Sequence, residues 1–99
     1  MGMISVLVQD ERGIAIGERV DLPTDLFPKA DDMRFVCLRF VDPYGDTFFN
    51  RLQVQAVLVD LQLLKTTKNK EQLELIHRLE TLVRACEKEP HLYLRFIGD

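Results

Sequence analysis

Residues 51–67, RLQVQAVLVDLQLLKTT, contain neither glycine nor proline, and this run constrains the fold more than any other feature of the chain. Strands in small domains usually run to ~3–10 residues, so an uninterrupted stretch of this length is expected to be a helix. The expectation holds although LQVQA alternates and Val54, Val57 and Val59 are strand-formers. At the ~100° per residue of a helix, the apolar positions separate into two seams. Leu52, Ala56, Val59 and Leu63 form one, and Val54, Val57, Leu61 and Leu64 form the opposite one, with Gln53, Asp60, Gln55 and Gln62 along the borders. A helix patterned this way must be covered twice. Its own sheet can cover one side; the other is left for the second helix or for another copy of the chain. The seam Val54, Val57, Leu61 and Leu64 has the 3-4-3 spacing of helix-on-helix contact, so it is the expected subunit interface of a homodimer.

Elements on either side of this run follow from simpler signals. Residues 3–8 are apolar and partly β-branched, QDERG supplies a turn, and strand character resumes over 13–20, which reads as a hairpin. Pro23 and Pro28 make 21–32 a loop with at most one helical turn. MRFVCLRFV, residues 33–41, is apolar on both alternating sides and is expected to be an interior strand. Asp42, Pro43, Tyr44 and Gly45 fit a type I turn, and Asn50 with Gln53 fits a helix cap in which each side chain serves the other's backbone. A second helix over 71–89 carries one stripe, Leu75, Ile76, Leu79, Leu82, Val83 and Cys86. Pro90 stops it, and 91–97 alternates as a final strand with Leu92, Leu94 and Phe96 inward. The reading is one α+β domain over 1–99, in the order β-β-β-α-α-β, with a mainly antiparallel sheet and a two-helix hairpin packed on one face. The last strand should run antiparallel to the third.

Composition excludes several functions. The chain has 46% apolar and 29% charged residues, which is globular rather than disordered. Residues 1–50 hold nine acids against five bases, and Asp21, Asp25, Asp31 and Asp32 cluster around Lys29 alone. With no basic stripe, nucleic acid is not an expected partner; a protein with a basic surface is. Neither a membrane span nor a secretory leader is read from the sequence, so a cytoplasmic location is expected. Cys37 and Cys86, far apart and outside any CxxC, are expected to be reduced core thiols, and no metal or cofactor motif is found.

Candidate chemistry is thin. Ser5 is the only serine and lies in a strand, and His77 falls on the wet side of the second helix. Asp42 and Asp46, with Tyr44 between them, flank the turn, and His91, Tyr93 and Arg95 form the outward stripe of the last strand. These six are the candidate binding residues. Asp60, the lone charge between Arg51 and Lys65, should reach water or a basic side chain, because burying a carboxylate alone is costly. The leading expectation is a non-catalytic protein-binding module acting through self-association or its acidic first half. The alternatives are an inhibitor or immunity-type protein that blocks a basic enzyme surface, and a small enzyme or ligand sensor with Asp42, Asp46, His91, Tyr93 and Arg95 in one pocket. A shared pocket would favour the last.

Overall fold

A computed structural model of the protein describes residues 2–99. Strands β1 (Met3–Gln9) and β2 (Ala15–Pro23) form the hairpin, followed by β3 (Asp46–Asn50), helix α1 (Val54–Lys65), helix α2 (Lys70–Ala85) and β4 (Tyr93–Ile97). The four strands make one antiparallel sheet in the order β2-β1-β4-β3, and β4 is antiparallel to β3. The order β-β-β-α-α-β is therefore the one expected. Alternation sorts the sheet into two faces. Ile4, Val6, Val8, Val20, Leu22, Phe49, Leu94 and Phe96 point into the core, where Phe96 is met edge-on by Phe27 at 5.8 Å and by Phe49 at 5.6 Å. β2 is an edge strand broken by a bulge. Val6 pairs with Val20 and Val8 with Ile16, and Gly17 takes up the extra chain at φ +76°.

The third strand is not where it was expected. Residues 33–41 form a loop ending in a single 3-10 turn at Leu38–Phe40, and β3 comes instead from the segment after the Asp42 turn. The physical reason lies in Asp60. Its carboxylate accepts the N–H groups of Val36 (3.0 Å), Cys37 (2.7 Å) and Leu38 (2.8 Å). In a strand successive N–H groups point to opposite edges, so three in a row cannot converge on one carboxylate. Once that convergence forms, the ladder is lost. Phe35, Cys37 and Leu38 still turn inward, which accounts for the apolar pattern that mimicked a strand.

The helical reading of the glycine-free run holds, with a 3-10 turn at Arg51–Gln53 leading into α1. Asn50 accepts from the Leu52 N–H at 2.9 Å while Gln53 accepts from the Asn50 N–H at 2.9 Å, which is the expected cap. α2 opens on the same device, Asn69 with Gln72. Its predicted stripe is inside: Ile76, Leu79, Val83 and Cys86 are buried, and Leu75 and Leu82 pack against them. The helices lie side by side on one face of the sheet. Lys65 reaches Glu80 at 3.1 Å, Gln62 donates to Glu80 at 2.8 Å, and Gln55 donates to Glu87, tying α1 to α2 along their shared border.

This arrangement overturns the expected interface. Val54, Val57, Leu61 and Leu64, together with Leu58, are buried in the monomer's own core and offer no surface to a partner. The opposite seam is the open one. Leu52 is 81% exposed and Val59 67%, with Ala56 half-buried between them and Leu63, one turn further on, packed partly against the core. The choice depends on which way the cap turns the helix over the sheet, and spacing within the helix does not carry that information.

Candidate functional site

The six polar candidates fall at two ends of β4. At its C-terminal end the turn is anchored by backbone. Gly98 donates to the Gly45 carbonyl (2.8 Å) and Asp99 to the Pro43 carbonyl (2.9 Å). The approach is so close that a Cβ on Gly98 would sit 2.5 Å from the Pro43 carbonyl carbon, so only glycine fits there. Asp42 spends one carboxylate oxygen on the Tyr44 N–H at 2.8 Å, and its own N–H donates to the Thr47 hydroxyl at 2.9 Å. These bonds hold the turn. Tyr44 stands exposed on its rim.

Asp46, Tyr93 and Arg95 share the sheet face away from the helices. Arg95 grips Asp46 with Nη2 at 2.6 Å and Nε at 3.2 Å, reaches Gln9 at 3.4 Å, and stacks 5.4 Å above the Phe48 ring. Phe48 lies opposite Arg95 in the ladder, with Leu7 on its other side. The guanidinium is thus already paired and stacked. His91 sits at the other end of β4, with Nδ1 3.2 Å from Glu11. The five residues proposed to converge therefore do not, and none of them, nor Tyr44, lines any of the larger cavities among the described residues. One of these, about 540 Å³, lies at Gly2, Met3, Pro23, Thr24 and Asp25. Among the described residues no group of three or more histidine, cysteine or acidic side chains is placed to hold a metal ion. No helix of the described residues is long and apolar enough to cross a membrane.

The acidic loop is partly neutralised from within. Asp21 accepts from the Ser5 hydroxyl at 2.6 Å and lies 3.3 Å from Arg19, while Asp32 is held by Arg34 at 2.8 and 3.0 Å. Two of its four carboxylates face a guanidinium of the same chain.

Asp60 has neither of the partners expected for it. It is 1% exposed, and its charge is met by three peptide dipoles rather than by a base or water. The contact docks the 33–40 loop against α1, leaving Met33, Val36 and Phe40 on the outer side of that loop. Its negative charge also acts on a neighbour: burial first, and then Asp60, push the Cys37 thiol up from its ordinary value. Burial alone pushes Cys86 up to about 11. Both cysteines are free and buried, as expected.

The surface that sequence reasoning missed is the flank of α1. Leu52, Ala56 and Val59 lie along it, and Val36, 64% exposed, is brought beside the same helix by its bond to Asp60. The signal was present as the second seam, but assigned to the wrong side. Comparison with known protein families, with curated proteins and with solved structures gives no match.

Proposed function

We propose that the protein is a non-catalytic protein-binding module whose contact surface is the uncovered flank of α1 together with the outer side of the 33–40 loop. One observation carries the reading: Val59 on α1 is 67% exposed, and Leu52, in the 3-10 turn that leads into it, 81%, while the opposite side of α1 is core. Soluble proteins seldom leave a contiguous apolar patch uncovered unless it is a contact site. The polar candidates support a ligand pocket less well, because Asp46 and Arg95 satisfy each other and His91 lies at the far end of the strand. Contact through the acidic loop is weakened by the pairing of Asp21 and Asp32.

Site-specific photo-crosslinking in cells tests the reading. With p-benzoylphenylalanine at position 59, discrete adducts are expected; at position 78, exposed on the charged side of α2, they are not. Equal labelling at both positions, or none at 59, would overturn it.

A further inference from the structure

Resting on that reading, we infer that the occupant of the α1 flank is a second copy of this chain, docked antiparallel about a two-fold axis between Ala56 and Val59. Charge is the first argument. An isologous contact brings each residue near its own kind, so a charged border would repel itself. Between Arg51 and Lys65 the only charged side chain is Asp60, which is buried and fully occupied by backbone donors. The borders of the open seam are the neutral Gln53, Gln55 and Gln62; Gln53 accepts from the Asn50 N–H, and Gln55 and Gln62 donate to Glu87 and Glu80 of the same chain, which leaves their amide oxygens for a partner. Lys65, at the far end, is turned to Glu80. α2 offers the contrast, since its outer side carries Glu71, Glu74, Arg78 and Arg84.

Shape is the second argument. Leu52, Ala56, Val59 and Leu63 follow a 4-3-4 spacing with the small residue near the middle, where two crossing helices approach most closely. In the antiparallel arrangement Leu52 meets the partner's Leu63 and Ala56 meets the partner's Val59.

Area is the third. Leu52, Val59, Val36, Phe40 and Met33 are 81%, 67%, 64%, 58% and 74% exposed. Taking roughly 170 Å² for a fully exposed large apolar residue, Leu52, Val59 and Val36 offer roughly 350 Å² per copy, which Met33, Phe40 under the Arg39 guanidinium, and the glutamine rim extend toward the ~800 Å² a side of a stable interface.

Sedimentation velocity on the full chain, with the variants Val59→Glu and Val59→Gln, tests the inference. A wild-type dimer is expected, with both variants monomeric and their circular dichroism unchanged, because the side chain is exposed in the folded chain. Pairing of faces is read separately: an equimolar mixture of Ala56→Cys and Val59→Cys, oxidised with copper phenanthroline, should form a mixed disulfide dimer faster than either variant alone. A monomeric wild type at high micromolar concentration overturns the inference, as does a dimer that survives Val59→Glu in folded form. If the wild type is monomeric while position 59 still cross-links to another protein, the second copy is wrong and the binding surface stands. If position 59 gives no specific adduct either, both fall.

Discussion

α1 and α2 start from the same Asn-x-x-Gln cap, run side by side over one sheet, and treat charge in opposite ways. α2 buries a single apolar stripe and shows solvent a dense set of charges. α1 buries its only carboxylate and shows solvent leucine and valine. An amphipathic helix of the first kind needs nothing beyond its own core. The second kind sets two conditions: a carboxylate satisfied inside the fold, and a cover for an apolar flank that the folded single chain leaves open. The first condition is met by the 33–40 loop through Asp60. The second condition is what the proposed contact meets. The comparison also shows that polar and apolar are poor guides to in and out on a helix covered from two sides. What decides is whether each group finds a partner.

The sharpest way to break the comparison is Asp60→Ala. Three backbone donors would lose their acceptor in a buried site, and a loss of roughly 3–5 kcal/mol is expected in urea denaturation. Asp60→Asn should recover only part of this, since its amide group sets a donor against the donors of Val36, Cys37 and Leu38. Cys37 should then react with thiol reagents well before Cys86, because its loop is freed while α2 is not. A loss under 1 kcal/mol for the alanine variant would mean that Asp60 is not what holds the loop.

Next in size are the caps. Asn50→Ala and Asn69→Ala should each cost about 1 kcal/mol. Unequal losses would show that the 3-10 entry to α1 depends on its cap differently from the direct entry to α2.

Glu80, on the border between the helices, comes third. Burial raises its pKa, but the hydrogen bond and charge of Lys65, the charge of Arg84 and the bond from Gln62 outweigh that, so it lies below its ordinary 4.5. A carboxylate lowered on folding stabilises above the unfolded value and loses that contribution as the pH falls through the folded one. Glu80→Gln should therefore cost about 1 kcal/mol near neutrality, with the gap to wild type closing below pH 4.5. A gap independent of pH would mean that the ion pairs of Glu80 do not join the two helices.

The smallest effect is the most discriminating. At low protein concentration Val59→Gln and Arg78→Gln should each change stability by no more than about 0.5 kcal/mol, as exposed positions do. Only the first should change association. If both do, or neither, the two outer faces are equivalent and the contrast between the helices has no functional meaning.

Local chemistry determined much of this molecule. Asn50 and Asn69 start helices because their side chains reach N–H groups only two or three residues away. The second helix ends at Ala85, short of the expected 89 and before Pro90 is reached, but Leu92, Leu94 and Phe96 alternate into the core, so the last strand was legible residue by residue. The same holds for the turn at Asp42, for the stripe of α2 and for the buried cysteines. Three things were decided only by tertiary structure. The 33–41 segment has a strand's composition, yet a carboxylate 22 to 24 residues away gathers three of its N–H groups and bends it into a loop. Edge pairing then falls to Asp46–Asn50, with Phe49 inward and Phe48 half out. The two seams of α1 are of similar hydrophobicity, and their fates were set by how the helix is rotated over the sheet. Period and composition describe one element at a time, whereas a partner for Asp60 and a cover for Val54 exist only once distant parts of the chain have met.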